Sequence, residues 1–96
     1  MIHIKTPEEI ALMAEAGRRL AAVLDELTTR AKPGITTNEL DTLARERIEA
    51  KGDIPSFLGY APGGAARPFP ATLCASVNEE IVHGLPDGIP LKEGDL

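Results

Sequence analysis

The chain has 96 residues, of which 43% are hydrophobic and 26% charged, and its formal net charge is -5. This balance is typical of a folded globular protein and argues against a disordered chain. Lysine and arginine are interleaved with acids, whereas nucleic-acid binding needs a concentrated basic face, so no direct nucleic-acid partner is expected. The sequence shows neither a membrane-spanning apolar stretch nor a secretory signal, so we expect a cytoplasmic protein without a membrane partner.

The first half of the sequence predicts a helical hairpin over about residues 6–52. Thr6 and Glu9 are spaced as a capping box, and Pro7 suits the first position of a helix. Glu15/Arg19 and Glu26/Arg30 are spaced to pair at i,i+4. The apolar residues at three- and four-residue spacings predict one buried face, made of Ile10, Met13, Gly17, Leu20, Leu24 and Leu27.

A second helix is predicted directly after Lys32-Pro33-Gly34, because proline and glycine break the first one. Thr36 or Thr37 caps the second helix, and Glu39 follows Thr36 at capping-box spacing. Gly52 is expected at its C-terminal end. Its apolar stripe consists of Leu40, Leu43, Ala44 and Ile48. Two helices joined so closely predict an antiparallel pair.

Beyond Gly52, about residues 53–96, the apolar period changes to two and predicts strands and loops. Leu73, Ala75 and Val77 would form one face of a strand, and Thr72, Cys74, Ser76 and Asn78 the other. A turn at Asn78-Glu79-Glu80 would lead into a short strand, Ile81-Val82-His83. The predicted fold class is therefore α/β (α+β), with two antiparallel helices followed by antiparallel strands. Two helices and one hairpin make a marginal fold, so we expect an incomplete domain that continues past Leu96.

Candidate functional residues lie in this second half. His83 stands at a strand end before Gly84, where a ligand could approach the backbone, although a lone histidine is more often structural. Cys74 falls on the polar face of its strand, and from pattern alone it is a small space-filling residue. Tyr60 and two phenylalanines flank a glycine- and proline-rich loop, a layout that slightly favours a pocket. The acidic residues do not predict a metal site, because a catalytic divalent ion needs at least three converging ligands.

Four segments of the sequence resemble the type I methionine aminopeptidases. They occur in the same order and at nearly the same spacing as in that family, and the last is the most specific. They are Ile4-Lys5-Thr6-Pro7-Glu8-Glu9-Ile10, Lys32-Pro33-Gly34-Ile35-Thr36-Thr37-Asn38-Glu39-Leu40-Asp41, Phe57-Leu58-Gly59-Tyr60, and Cys74-Ala75-Ser76-Val77-Asn78-Glu79-Glu80-Ile81-Val82-His83-Gly84-Leu85-Pro86. The resemblance implies that residues 1–96 are the N-terminal part of a pita-bread domain, whose two halves surround a two-metal site.

The resemblance also implies roles for particular residues. His83 would contact the substrate near the scissile amide and act as a catalytic residue, while Tyr60, Phe69 and Cys74 would border the pocket for the methionine side chain. Phe57 would lie close to that pocket. Asn78 and Glu80 are candidates for a monovalent cation site completed by later residues. The residues Pro62 to Arg67 look like an extension of the family's loop before Phe69.

The implied activity is removal of the initiator methionine from nascent proteins by metal-assisted hydrolysis. The full-length enzyme would carry two divalent ions (cobalt, manganese, iron or zinc), whose ligands are expected after Leu96. The chain alone is therefore expected to bind no catalytic metal and to be inactive. The implied partner is the N-terminal methionine of a nascent polypeptide, close to the ribosome, and the full-length enzyme is expected to be a monomer.

Two other interpretations stay open at this point. A non-catalytic relative with the pita-bread fold would use the same scaffold as a binding module. Alternatively, the 96 residues would form a complete small domain used for protein interaction. The sequence does not decide which metal is used or which residues after methionine are accepted.

Overall fold

The computed structural model describes all residues, 1–96, and contains two helices, α1 (Pro7–Arg30) and α2 (Thr37–Glu49). The predicted capping boxes are both confirmed. At the start of α1 the Thr6 N–H donates to the Glu9 carboxylate at 2.8 Å, and the Glu9 N–H donates to the Thr6 hydroxyl at 3.2 Å. Thr36 and Glu39 repeat this exchange at the start of α2. Neither helix combines the length and the apolar character that crossing a bilayer requires.

The two helices pack against each other through a small core. Its buried members are Val23, Leu27, Leu40 and Ala44, and its half-buried neighbours are Ile35, Leu43, Ile48, Leu73 and Leu91. All four residues predicted for the stripe of α2 belong to this group. The radius of gyration is 15.4 Å, against about 12.5 Å for a compact domain of this length. The core is thus thin, and it lies around α2.

The predicted buried face of α1 is mostly wrong. Leu27 is buried as predicted, but Ile10, Met13, Leu20 and Leu24 are all at least half exposed, and Gly17 is exposed as well. The reason is length: α1 has 24 residues and α2 has 13, or about 36 Å and about 20 Å of helix. The shorter helix covers only the C-terminal part of α1, where Val23 and Leu27 lie.

The predicted antiparallel strands are also wrong, because the structure contains no strand and only one isolated bridge, between Thr36 and Pro90. The backbone hydrogen bond nearest to the expected pairing joins the Ala75 N–H in the first segment to the carbonyl of Gly84, the residue after the second segment, at 2.9 Å. A strand needs a ladder of such bonds along its length. The residues 72–78 and 81–83 therefore have irregular backbone, with bends at residues 72, 73 and 82 and a turn beginning at residue 78.

The last part of the chain returns to the start of α2. The Gly34 N–H donates to the Leu91 carbonyl at 2.8 Å, and the Leu91 N–H donates to Ile35 at 2.8 Å. Farther along, the Asp87 N–H donates to the Thr37 hydroxyl at 2.8 Å. Gly34 has a φ of 99°, which favours glycine at this turn. These bonds attach residues 87–91 to the helix connection and to the start of α2.

Charged pairs link the helices to each other and to the loop after α2. The predicted pairing of Glu15 with Arg19 is present at 3.0 Å, and Arg19 also bonds Asp53 at 3.0 Å. Glu26, by contrast, accepts two hydrogen bonds from Arg47 on α2, at 2.8 and 2.9 Å, rather than pairing with Arg30. The hydrogen bond from Arg47 holds the pKa of Glu26 below its ordinary value. The second link therefore runs across the helix interface.

Candidate functional site

The turn from Ala75 to Gly84 carries the candidate catalytic histidine. Gly84 is buried, and both of its backbone polar groups are bonded within the turn. Its N–H donates to the Ser76 hydroxyl at 3.1 Å, and its carbonyl accepts from the Ala75 N–H at 2.9 Å. A Cβ at Gly84 would collide with the Ala75 carbonyl and the Glu80 carboxylate. The close approach expected at this glycine is therefore made by the chain's own atoms.

His83 is exposed and has a φ of 56°, in the left-handed region. A non-glycine residue is uncommon in that region, and its conformation persists only when neighbouring contacts fix it. Those contacts are the two bonds of Gly84, directly after it. The turn therefore presents the imidazole on the outside of the molecule while the next residue is anchored inside.

Asn78 lies within the same turn and also has a left-handed φ, of 57°. Its amide nitrogen donates to Asp95 at 3.0 Å, and its amide oxygen accepts from the Leu96 N–H at 3.0 Å. Its backbone N–H donates to the Leu96 carbonyl at 2.8 Å. The hydrogen bond from Asn78, followed by that from the Lys92 N–H, lowers the pKa of Asp95. Asn78 thus holds residues 95–96 beside the 74–78 segment.

Tyr60 and Phe69 face each other across the neck of an exposed loop. The Phe69 N–H donates to the Tyr60 carbonyl at 2.8 Å, and the Gly59 N–H donates to the Phe69 carbonyl at 2.8 Å. The Phe69 ring stands edge-on to Phe57, with 6.4 Å between centroids. Residues 61–68, which include the predicted extension Pro62 to Arg67, project from this neck. The structure therefore brings Tyr60, Phe69 and Phe57 together.

Cys74 lies on a different surface, a cavity of about 540 Å³ between α1 and residues 53–57 and 72–74. Phe57 also lines this cavity, and the pair formed by Arg19 and Asp53 borders it. Tyr60, Phe69 and His83 do not line it. Phe57 therefore connects two groups of candidate residues, Cys74 on the cavity and the aromatic pair at the loop neck, while His83 stands apart from both.

Asp41 on α2 is a residue that the sequence analysis missed. One oxygen of its carboxylate accepts the N–H groups of Thr72 and Leu73 at 2.9 and 2.7 Å. Because Cys74 follows directly, Asp41 sets the position of the segment that carries it. The signal in the sequence is an acid directly after Leu40, within the apolar stripe of the helix.

No group of three or more histidine, cysteine, aspartate or glutamate side chains in this chain is arranged to hold a metal ion. The half-buried Asp41 accepts two backbone N–H groups. Asp95 is occupied in the same way, by Asn78 and Lys92. The residues present therefore do not fit a divalent metal centre.

Residues 11–96 match metallopeptidase family M24. This chain belongs to that family. Among its M24 relatives, methionine aminopeptidase 1 of Bacillus subtilis is 48% identical over 96 residues, which are 100% of this chain and 36% of the relative. The methionine aminopeptidase of Chlamydia trachomatis is 47% identical over 95 residues, 99% of this chain and 31% of that protein. The resemblance to methionine aminopeptidases is confirmed.

Solved structures of M24 peptidases support the same assignment. The methionine aminopeptidase of Rickettsia prowazekii superimposes with a TM-score of 0.89 at 38% identity, covering 99% of this chain and 36% of that one. That of Thermotoga maritima gives 0.86 at 43% identity, with the same two coverages. The pita-bread fold is thereby confirmed, without the predicted strands. The chain spans about a third of the length of the relatives it matches.

Proposed function

We propose that the full-length protein is a methionine aminopeptidase, which hydrolyses the peptide bond after the N-terminal methionine of a polypeptide. The observation that carries this proposal is the 48% identity to methionine aminopeptidase 1 of Bacillus subtilis over the whole chain. The backbone supports it as well, since the Rickettsia prowazekii enzyme has a TM-score of 0.89 over 99% of these residues. The most specific sequence segment, Cys74 to Pro86, coincides with the turn that presents His83.

We assign His83 the role of a hydrogen-bond donor to the carbonyl oxygen of the scissile peptide bond. Charge develops on that oxygen when the carbonyl is attacked, and a fixed donor aimed at it lowers the barrier. The imidazole is exposed, while the adjoining Gly84 is buried and bonded on both sides. Such a side chain can reach a substrate from a well-held backbone.

Tyr60, Phe69 and Cys74 are proposed to bind the methionine side chain. A thioether is polarizable and packs well against aromatic rings and sulfur. Tyr60 and Phe69 are adjacent at the loop neck, and Phe69 contacts Phe57, which shares the cavity with Cys74. For one methionine side chain to contact all three residues, it must reach Cys74 through the part of the cavity that Phe57 lines.

Membership in a metallopeptidase family implies divalent metal ions, which would activate the attacking water. Which metal serves, whether cobalt, manganese, iron or zinc, is a proposal. Because residues 1–96 do not fit a metal centre, every role assigned here belongs to substrate binding and to the hydrogen bond from His83. Closeness to the ribosome, a monomeric state and a cytoplasmic location stay predictions.

The test is release of methionine from the peptide Met-Ala-Ser by the full-length protein supplied with manganese or cobalt. N-acetyl-Met-Ala-Ser is the matched substrate control, because it lacks the free amine and should not be cleaved. His83→Ala should lower kcat by about 10²- to 10³-fold, the usual effect of losing one such donor. The chain offers a matched control in its other histidine, His3, which is exposed, and His3→Ala should keep full activity.

No release with either metal would contradict the proposal and favour the alternative, a non-catalytic binding module with the pita-bread fold. That alternative predicts that Met-Ala-Ser still binds, as measured by calorimetry, without turnover. Equal activities of His83→Ala and wild type would leave the peptidase assignment in place and remove the role of His83.

A further inference from the structure

The conformation of His83 is fixed by contacts that its own side chain does not make. Its φ of 56° lies in the left-handed region, which is unfavourable for a residue with a Cβ. The next residue, Gly84, is buried against the Ala75 carbonyl and has no room for a Cβ. Packing of Gly84 therefore restrains the peptide unit between His83 and Gly84 on one side. The orientation of that peptide unit depends on the hydrogen bond that the Gly84 N–H makes.

The Gly84 N–H points at a side chain, the hydroxyl of Ser76, at 3.1 Å. No backbone carbonyl receives this N–H. The carbonyl of the same glycine accepts from the Ala75 N–H at 2.9 Å, so residues 75 and 76 hold Gly84 from both of its polar groups. One of these bonds is made by backbone and survives substitution. The other depends on the residue type at position 76.

We infer that Ser76 is a positioning residue for His83, which rests on the catalytic role proposed for that histidine. Ser76 acts through the peptide unit between His83 and Gly84 and does not touch the substrate. Without its hydroxyl, the buried Gly84 N–H loses its partner, and the peptide unit can rotate toward another acceptor. Rotation of that unit changes the left-handed conformation of His83 and moves the imidazole.

The predicted effect is on the chemical step. Loss of one hydrogen bond that is needed only to aim the donor should reduce kcat of Ser76→Ala by about five- to tenfold, with KM within about twofold of wild type. Ser76→Thr keeps the hydroxyl and should restore most of the loss. Thr29→Ala is the matched control. It removes an exposed hydroxyl on α1 that donates to the Asp25 backbone carbonyl at 3.0 Å. It should leave both constants unchanged.

The decisive experiment combines Ser76→Ala with His83→Ala in the full-length protein. If Ser76 acts through His83, the double variant should have the kcat of His83→Ala alone, within about twofold, because the effects of coupled residues are not additive. If Ser76 merely supports the fold, its substitution lowers kcat by the same factor in both backgrounds. Equal factors, or no effect of Ser76→Ala in either background, would overturn the inference.

A second measurement separates this inference from the proposed function. The imidazole proton signal of His83, assigned by its loss in His83→Ala, should shift or broaden in Ser76→Ala and return in Ser76→Thr, while that of His3 stays in place. If wild type releases no methionine, the proposed function falls and this spectrum still decides whether Ser76 positions His83. An unchanged His83 signal in Ser76→Ala would rule the positioning out.

Discussion

Replacing Asp41 with alanine should destabilise the full-length protein by about 3 kcal/mol. The Asp41 carboxylate accepts the Thr72 N–H at 2.9 Å and the Leu73 N–H at 2.7 Å. Thr72 is 5% exposed, so water cannot easily replace the lost acceptor. A hydrogen bond to a charged group contributes roughly 1.5–3 kcal/mol. Because Asp41 is only half-buried, the lower figure applies to each of its two bonds.

The measurement is urea unfolding of the full-length protein followed by circular dichroism, with Asp25→Ala as the matched control. Asp25 is an exposed helical acid whose carboxylate makes no hydrogen bond or ion pair. Both substitutions gain the same helix propensity, so the difference between them isolates the two bonds. Asp41→Asn keeps an acceptor without its charge and should cost about half as much.

Hydrogen exchange localises the effect. In Asp41→Ala the amides of Thr72 and Leu73 should exchange faster, while that of Leu27 should change only by the overall loss of stability. If Asp41→Ala unfolds at the same urea concentration as Asp25→Ala, the two bonds contribute nothing and Asp41 does not hold the segment that carries Cys74.

Two further predictions concern stability. Gly84→Ala should cost about 2–3 kcal/mol in thermal or urea unfolding, because its Cβ would collide with the Ala75 carbonyl and the turn must shift; wild-type stability would contradict the packing described for this glycine. The hydrogen bond from Arg47 lowers the pKa of Glu26. The pair therefore stabilises the folded protein fully above about pH 4.5, the ordinary pKa of the group. This stabilisation is lost as the pH falls through the lowered pKa of the folded state. The difference in unfolding midpoint between wild type and Glu26→Gln should therefore shrink from pH 7 to pH 3, and a difference independent of pH would show that the pair does not contribute.

The starts of the two helices were determined by the sequence itself. Each helix starts at a capping box whose two residues are three positions apart, Thr6 with Glu9 and Thr36 with Glu39, so no distant residue is needed to specify it. Four segments, of which the one around His83 is the most specific, indicated the family by their order and spacing. The match of residues 11–96 to family M24 confirmed this resemblance.

Tertiary structure decided which residues are buried and which pairs form. The apolar period predicted that α1 is a helix, but periodicity does not state how long the partner helix is, and α2 covers α1 only around Val23 and Leu27. Alternation at 72–78 did not produce a strand, because a ladder depends on a neighbouring segment in register. Glu26 pairs with Arg47 rather than with Arg30, because the packing of α2 against α1 brings Arg47 to it. The sequence alone does not show that packing.

Some residues of the candidate site were predicted from the sequence, and others were found only in the structure. Sequence pattern and resemblance identified His83, Tyr60, Phe69 and Cys74 as candidates, because residue type and motif indicate which side chains could take part in binding or catalysis. The groups that hold this region in place, Asp41 on Thr72 and Leu73 and Ser76 on Gly84, were found only in the structure. Their bonds join a side chain to backbone N–H groups 8 to 32 residues away, and a backbone N–H is the same at almost every position. Only the folded chain determines which of them each side chain meets.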